Sequence, residues 1–262
     1  MNNIIYVIDY QAPEGLGAKS FRSDNRDWVN ISLPSIHRYG KKWNIPIKVL
    51  GEKDIAPLNL PSSMSHYQKA TFLKILSIHD FLQSPYERMA HIDLDIYIKD
   101  DALNIFDYYP ESLVMSPGPS APMIAKNRFF LEKKFNCALD PALNYNWNMS
   151  VFLLGKDIAL SLLPHLPPAE DWEPYLKRYN LVKNDFFEAT FKGKKVIKYL
   201  TEQDLFSFAL IQAGITPTRL HSGLFSLGHG FFKNKKIVDN ASFLHFSGNS
   251  KPRLVEMFGD EA

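Results

Sequence analysis

Two carboxylates, Asp93 and Asp95, lie in the middle of an apolar stretch that runs from Met89 to Asp107. Acidic side chains are rarely buried without a partner. In a regular strand both would point to the same face, because successive side chains alternate. At a separation of about 4 Å they would repel by roughly 4 kcal/mol at an effective dielectric of ~20. A shared proton, basic neighbours or a divalent cation could relieve this repulsion, and carboxylate oxygens suit Mg²⁺ or Mn²⁺. Two acids that simply face water at a strand end are the alternative.

A second set of candidate residues lies near the C-terminus, in the order His245, Gly248, Lys251. A neutral imidazole can bind a metal ion, and a glycine lets the main-chain N–H approach a ligand closely. A lysine adds a fixed positive charge. The combination suits a diphosphate that is bound together with a metal ion. A histidine in an apolar strand is otherwise an ordinary core residue.

The elements around these residues follow an alternating pattern. The sequence predicts buried strands at Ile4–Asp9, Ile45–Leu50 and Leu113–Pro117, and a long helix that starts at Ser65. Strands that alternate with helices over residues 1–120 predict a mostly parallel sheet flanked by helices. Ligands bind at the carboxyl ends of the strands of such sheets. Asp9, Asp93 and Asp95 are all placed at such ends.

Further along the chain, the pattern makes several local predictions. Pro34 should break or bend a helix that carries Trp28 and Ile31. The other predicted elements are a helix from about Asp101, a helix over Ala125–Phe135, a strand over Asn148–Leu154, a helix over Glu202–Ala213 that ends at Gly214, and a flexible loop over Ser222–Gly230.

Composition sets the limits of the possible functions. The 262 residues carry 30 basic and 28 acidic side chains, a net charge of +2 that gives no reason to expect nucleic acid as a partner. A single cysteine, Cys137, excludes an internal disulfide and any multi-cysteine zinc site. No stretch approaches the roughly 18 apolar residues of a membrane span. We therefore expect a cytoplasmic protein, with any membrane contact peripheral, at the inner membrane face.

Four motifs, in this order along the chain, resemble those of a known enzyme family. They are Asp93-Leu-Asp95, Asn148-Met-Ser-Val-Phe-Leu-Leu, Glu202-Gln203-Asp204 and His245-x-x-Gly248-x-x-Lys251-Pro252. The chain resembles glycosyltransferases of the GT-A fold, most closely glycosyltransferase family 8, the lipopolysaccharide galactosyl/glucosyltransferase and glycogenin group. It departs from the family pattern at three positions: Ser150 replaces a glycine, Glu202 an aspartate and Arg253 a tryptophan.

This resemblance implies a single GT-A domain over residues 1–262, with a nucleotide-binding half at about 1–120 and a donor-sugar and acceptor half at about 121–262. It also implies a metal-dependent enzyme that moves a hexose from a nucleotide-sugar, UDP-linked, to a saccharide or glycolipid acceptor. The implied stereochemistry is retention, and the implied pathway is the synthesis of surface polysaccharide or lipopolysaccharide.

The resemblance also assigns roles to individual residues. It implies that Mn²⁺ or Mg²⁺ is held by Asp93, Asp95 and His245. The residues implied to bind the donor nucleotide and its diphosphate are Asp9, Lys69, Gly248 and Lys251. Those implied to line the donor sugar and its reacting carbon are Asn148, Gln203 and Asp204. His91 would share the face of the two acids in a regular strand, so it could support them.

Three other functions compete with this interpretation. Phosphatases of the haloacid dehalogenase type also use Asp-x-Asp, but place it on the first strand with Thr or Val two residues later, where this chain has Tyr97. A nucleotidyltransferase would need a glycine- and basic-rich loop after the first strand, which residues 12–19 fit poorly. A nucleotide-sugar binding module without turnover is the non-enzymatic alternative.

Overall fold

The structure is a computed structural model, and it describes residues 2–10, 26–55, 66–117, 121–140, 147–168, 170, 172, 174, 186–191, 194–199 and 202–259. The strands within these residues are β1 (Asn3–Ile8), β2 (Ile47–Leu50), β3 (Arg88–Ile92), β4 (Ile96–Ile98), β5 (Leu113–Pro117), β6 (Trp147–Gly155), β7 (Phe186–Phe191), β8 (Lys194–Tyr199), β9 (Thr218–Arg219), β10 (Leu227–Gly228) and β11 (Phe243–His245). The helices are α1 (Val29–Trp43), α2 (Glu52–Ile55), α3 (His66–Gln83), α4 (Ile105–Tyr108), α5 (Ala121–Phe135), α6 (Lys156–Leu162), α7 (Glu202–Gln212), α8 (Ser222–Phe225), α9 (Lys235–Asn240) and α10 (Lys251–Phe258).

The central sheet has the strand order β2-β1-β3-β6-β5-β9. The β1–β2, β1–β3 and β5–β9 pairs are parallel, and only β6 runs against its neighbours. This arrangement confirms the predicted α/β fold with a mostly parallel sheet. Because β1 and β3 are parallel neighbours, their carboxyl ends, and hence Asp9 and Asp93, lie at one edge of the sheet.

Two hydrophobic cores cover the two faces of this sheet. Along β1, Ile5 and Val7 belong to one core, and Ile4 and Tyr6 to the other, as the alternation of side chains in a strand requires. The first core contains the buried face of α1 and the strands β4 and β11. The second contains α3 and α7. Among the described helices, none combines the length and the apolar character that a membrane span requires.

A small second sheet joins the end of the chain to the central part. It has the order β10-β11-β4, in which β11 is antiparallel to β4 and pairs His245 with Ile96. The strands β7 and β8 form a separate antiparallel hairpin. The sequence patterns predicted none of β7, β8, α9 and α10.

Pro34 does not end helix α1, which continues from Val29 to Trp43. The missing N–H of a proline removes one helical hydrogen bond. The buried face of α1, with Ile31, Ile36 and Tyr39, packs against the first core and outweighs that loss. Of the predicted break or bend at Pro34, the break is therefore wrong, and the bend stays a prediction.

Two further local predictions are wrong. The helix expected from about Asp101 is the short α4, which starts only at Ile105 after its cap, Asn104. The loop expected over Ser222–Gly230 instead contains α8 and β10. Glycines disfavour regular structure there, but Phe225 is fully buried, and its burial stabilises the ordered segment.

Candidate active site

The two central acids lie in a tight turn between two strands. Strand β3 ends at Ile92, Asp93 follows it, and β4 begins only after Asp95. The N–H of Ile96 donates to the carbonyl of Asp93 at 3.1 Å and closes the turn. The prediction that both acids share one face of a continuous strand is therefore wrong. The turn nevertheless keeps the two carboxylates together, with one oxygen of each within 4.8 Å of the other.

Strand β11 brings a histidine from the end of the chain to this turn. The N–H of Phe246 donates to the carbonyl of Asp95 at 2.8 Å, which fixes the adjacent His245 beside the acids. One ligand atom each of Asp93, Asp95 and His245 lies within 4.8 Å of the others. The sequence-based expectation that these residues meet across about 150 positions is thus met by the geometry.

These three side chains fit a divalent cation. Two carboxylates and one imidazole form a donor set that suits Mn²⁺ or Mg²⁺. Opposite ligands of Mg²⁺ are roughly 4.2 Å apart, so the 4.8 Å limit on the observed separations leaves only small side-chain movements to be made. The side chains are 23%, 15% and 12% exposed for Asp93, Asp95 and His245, so a ligand can still reach them.

Asp93 belongs to what we call the inner cluster, with Lys74, His91 and Glu202. Its Oδ1 accepts from the Nζ of Lys74 at 2.7 Å and from the Nε2 of His91 at 3.0 Å. Lys74 also lies 3.5 Å from Glu202 Oε1 and donates to the carbonyl of Met149 at 3.4 Å. The partners come from β3, α3 and α7, and all three are buried.

Burial and pairing act in opposite directions on the inner cluster. Burial would raise the pKa of Asp93, but the ammonium of Lys74 and the hydrogen bond from His91 hold it well below its usual range. Burial raises the pKa of Glu202, although Lys74 opposes that. Burial lowers the pKa of His91, whose ring stacks on Phe152 at 5.3 Å. The cluster therefore keeps Asp93 ionised at neutral pH.

Asp95 belongs to what we call the outer cluster, with His245 and Lys251. The Nε2 of His245 lies 3.3 Å from Asp95 Oδ1, and the Nζ of Lys251 lies 3.6 Å from Asp95 Oδ2. The same ammonium is 4.5 Å from the centroid of the Trp28 ring, a cation–π contact. His245 ends β11, and Lys251 begins α10.

In the outer cluster, too, burial and pairing act in opposite directions on the pKa values, here those of Asp95 and His245. Burial would raise the pKa of Asp95, but the hydrogen bond from His245 lowers it below its usual value. Burial would lower the pKa of His245, but the carboxylates of Asp95 and Asp93 raise it. The two carboxylates therefore favour a positive charge beside them. A proton on His245 can supply that charge, and a bound cation would supply it in place of the proton.

Gly248 follows β11 and Asp9 follows β1, and the donor contacts expected of both stay predictions. Gly248 has a φ of +60°, and no atom lies within 4 Å of the position that a Cβ would take, so its backbone is open to a ligand. Asp9 follows β1 at the site edge and forms an ion pair with Arg26. Arg26 was not predicted, and residues 11–25 between the two lie outside the described residues.

Lys69 does not share a helix face with Lys74. Five residues along an α-helix rotate a side chain by about 140°, so the two lysines of α3 point in different directions. Lys69 is half-buried, and of these two lysines it is Lys74 that forms the ion pairs described for this site. A donor contact by Lys69 stays a prediction.

The three residues expected around the donor sugar lie on β6 and α7. Asn148 is half-buried, and its Oδ1 accepts from the N–H of Ser150 at 2.6 Å. The carbonyl of Ser150 in turn accepts from the N–H of Asp93 at 2.8 Å, which ties β6 to the acidic turn. In α7, Gln203 is half-buried and Asp204 is buried.

Sequence reasoning missed Lys74 and the position of Glu202 in the site. A signal existed for Lys74: it lies on the apolar face of α3, four residues after Ala70 and before Ile78. A lysine on such a face needs a buried acid as partner. Glu202 was noted only as a departure from the family motif, whereas it is 2% exposed and lies beside Lys74.

Comparison with known proteins gives a structural likeness but no match in sequence. No protein-family model matches the chain, and no curated protein is similar to it in sequence. A glycosyltransferase involved in the glycosylation of the major capsid of PBCV-1 matches with a TM-score of 0.53 and 12% identity, over 98% of this chain and 99% of that one. The galactosyltransferase LgtC, in complex with donor and acceptor sugar analogs, matches with a TM-score of 0.51 and 11% identity, over 98% of this chain and 95% of that one.

This chain has the GT-A fold. The bifunctional glycosyltransferase WbbM matches as well, with a TM-score of 0.55 and 12% identity, over 96% of this chain but only 46% of that one. In this GT-A chain, Asp9 and Asp93 follow neighbouring parallel strands, and β11 adds His245 beside Asp93 and Asp95. At such low identities the likeness extends to the fold alone, so the function has to be argued from the site.

Proposed function

We propose that the protein is a metal-dependent glycosyltransferase that moves a hexose from a UDP-linked sugar to a saccharide acceptor. The convergence of Asp93, Asp95 and His245 at the strand-end edge of a GT-A sheet carries this proposal. Carboxylates and an imidazole from distant parts of the chain are brought to one point, and basic neighbours lower the pKa of both acids, which keeps them ionised. A metal ion that holds the diphosphate of a nucleotide-sugar would use this arrangement directly.

Different residues of the site would hold the metal ion and bind the diphosphate of the donor. Asp93, Asp95 and His245 would hold the ion, which when bound supplies positive charge to the leaving diphosphate. Lys251 would add a fixed ammonium, and the open backbone of Gly248 an N–H. Both would act on phosphate oxygens as negative charge grows there.

The remaining proposed contacts rest on the resemblance of the motifs. Asp9 and Lys69 would contact the nucleotide, which would lie over the half of the chain formed by about residues 1–120. Asn148, Gln203 and Asp204, in the half formed by about residues 121–262, would line the donor sugar. Glu202 adds a candidate to that list, because its Oε2 is buried and has no hydrogen-bond partner among the described residues.

Of the three alternatives, the structure bears on one. A phosphatase of the haloacid dehalogenase type would carry its acids after the first strand, whereas here they follow β3. A nucleotidyltransferase depends on the loop at residues 12–19, which lies outside the described residues. A nucleotide-sugar binding module without turnover has the same geometry and is distinguished by the assay below.

The decisive experiment is to follow release of nucleoside diphosphate from a panel of nucleotide-sugars with Mn²⁺, with Mg²⁺ and with chelator. We expect metal-dependent turnover of at least one UDP-sugar, and its loss in Asp95→Asn. The matched control is Asp101→Asn, an acid that is 78% exposed, which should keep full activity. If no donor is bound or turned over with metal present, the proposal is wrong; binding without turnover would favour the binding module.

The stereochemistry and the pathway are further parts of the proposal. We propose retention of the anomeric configuration and a role in surface polysaccharide or lipopolysaccharide synthesis, on the resemblance of the motifs alone. Proton NMR of the first product formed would show the anomeric configuration, and an inverted linkage would separate the chain from family 8.

A further inference from the structure

The connection between β10 and β11 exposes an aromatic ring beside a group of lysines. Phe231 is 59% exposed, the largest value among the exposed large hydrophobic side chains of the described residues. Lys233, Lys235 and Lys236 follow it and are exposed as well. None of the three lysines forms an ion pair with another described residue. We call Phe231, Lys233, Lys235 and Lys236 the basic-aromatic segment.

The packing around it holds this segment in place. The ring of Phe232 packs on Phe246 with centroids 4.7 Å apart, and Phe246 in turn contacts Phe258 at 6.3 Å. Asn234 caps α9, since its Oδ1 accepts from the N–H of Ile237 at 3.3 Å. The exposure of Phe231 is therefore fixed by neighbours that are themselves anchored in the core.

The basic-aromatic segment lies at the same end of the small sheet as the metal ligands. Strands β10 and β11 are parallel, with Gly228 paired to His245. The chain leaves β10 directly after Gly228 and reaches Phe231 three residues later. Phe232 packs on the residue that follows His245. Whatever the segment binds is thus brought next to the candidate active site.

We propose that the basic-aromatic segment docks the protein on a membrane surface that contains anionic lipid headgroups. An exposed aromatic ring enters the headgroup region, and neighbouring lysines pair with anionic lipids. Near such a surface each lysine strengthens binding by roughly five-fold, so three give about 100-fold. The whole chain has a net charge of only +2, so the attraction must come from this local group. The occupant is an anionic lipid surface, because it satisfies both the ring and the charges.

If the proposed function also holds, this docking indicates the class of acceptor. The donor is a small water-soluble molecule and needs no membrane. A site edge held at a membrane would favour a saccharide acceptor that is linked to a lipid. This class of acceptor rests on the proposed function, whereas vesicle binding does not.

The experiment is sedimentation of the full chain with vesicles of phosphatidylcholine, with or without about 30% phosphatidylglycerol. We expect binding to the anionic vesicles that weakens as salt is added, because salt screens exposed charges. The triple variant K233Q/K235Q/K236Q should bind about 100-fold more weakly. Phe231→Ser should also reduce binding, by at least about five-fold.

Matched controls separate this surface from charge in general. The variant K41Q/K53Q/K133Q removes three exposed lysines elsewhere, and Leu160→Ser removes a residue that is 56% exposed on α6. Both should bind vesicles within about two-fold of the unchanged protein. The proposal is overturned if anionic vesicles do not bind, or if the control triple variant loses as much affinity. Binding to soluble polyglutamate but not to vesicles would overturn it in favour of an acidic polymer.

Release of nucleoside diphosphate from a soluble donor gives an independent readout. The lysine and Phe231 variants should leave that rate unchanged, because none of these residues lies in the candidate metal or donor site. Vesicle binding without turnover would retain the docking surface and reject the proposed function. Turnover without vesicle binding would support the proposed function and reject the docking surface.

Discussion

The two acids of the central turn are only two residues apart, yet their surroundings differ in origin. The inner cluster holds Asp93 with Lys74, His91 and Glu202, which come from α3, β3 and α7 in the core. The outer cluster holds Asp95 with His245 and Lys251, which come from the last part of the chain. One acid is thus part of the folded core, and the other is completed by a segment that packs onto it.

Because of this difference, we expect the two clusters to contribute differently to protein stability and to ligand binding. In the inner cluster, Lys74 is 10% exposed and Glu202 is 2% exposed, so their charges are desolvated and depend on each other. In the outer cluster the contacts of Asp95 are longer, at 3.3 and 3.6 Å, and Lys251 is 22% exposed. Variants of the inner cluster should therefore affect folding and binding together. Variants of the outer cluster should affect mainly binding.

The largest effect is expected from Lys74→Met. It leaves Asp93 and Glu202 buried without their shared cation, which should reduce the free energy of unfolding by about 3–5 kcal/mol. Urea unfolding followed by circular dichroism measures it. Lys69→Met, on the same helix but half-buried, is the control and should change stability by less than about 1 kcal/mol. Equal losses in the two variants would show that Lys74 has no special place in the core.

The next effect concerns the outer cluster and the metal ion. At a Mn²⁺ concentration 100 times the Kd, binding should raise the free energy of unfolding by about 2.7 kcal/mol. His245→Ala removes a ligand, so this gain should disappear at the same concentration, with stability without metal changed little. Differential scanning calorimetry with Mn²⁺, and again after EDTA, measures both.

His221→Ala is the control for the loss of an imidazole. The His221 side chain is exposed, and its backbone N–H donates to the hydroxyl of Tyr109. This variant should keep the full stabilisation by Mn²⁺. If His245→Ala were stabilised by Mn²⁺ as strongly as the unchanged protein, the outer cluster would not be a metal site.

A direct test of the comparison uses the same substitution in both acids. Asp93→Asn removes the carboxylate nearest to the buried Lys74 among the described residues and leaves Glu202 at 3.5 Å, so we expect a loss of about 2 kcal/mol or more in the free energy of unfolding. Asp95→Asn should cost less than about 1 kcal/mol, because its partners are longer-range and partly exposed. Both should lose Mn²⁺ binding. If Asp95→Asn were as destabilising as Asp93→Asn, the two clusters would not differ in kind.

The sequence predicted the outer cluster better than the inner one. All three residues of the outer cluster, Asp95, His245 and Lys251, stood out, because charged or metal-binding groups near apolar stretches indicate a functional site. Of the inner cluster, Asp93 stood out for the same reason. Lys74 did not, because a lysine within a helix is usually solvated and only its place on the apolar face of α3 distinguishes it. Its partners lie on α7 and after β3, and nothing local to Lys74 shows that contact. Long-range pairing of this kind depends on how α3 and α7 pack together.

Some parts of the fold were likewise predictable from the sequence, and others were not. The first strands and the mostly parallel sheet were predictable, since buried strands and amphipathic helices have a clear local period. The turn at Asp93–Asp95 was not, because apolar residues continue through Leu94 into β4 and conceal the end of β3. Likewise, α8 and β10 form where the glycines suggested a loop, because Phe225 and Leu227 are buried by distant residues.

The smallest expected effect compares two glycines with the same backbone. Gly248 has a φ of +60° and Gly214 a φ of +67°, and no atom lies within 4 Å of a Cβ at either position. Replacing either with alanine should therefore reduce the free energy of unfolding by a similar amount, about 1 kcal/mol, from backbone strain alone.

Only Gly248 lies beside the outer cluster, whereas Gly214 follows the end of α7. If the space over Gly248 receives a diphosphate, Gly248→Ala should weaken UDP binding in the presence of Mn²⁺ by about ten-fold or more, because the added methyl group keeps phosphate oxygens from the backbone N–H. Gly214→Ala should leave UDP affinity unchanged. Isothermal titration of both variants measures this. Because their stability costs match, a difference in UDP affinity would report the ligand site rather than the fold, and equal affinities would place the diphosphate elsewhere.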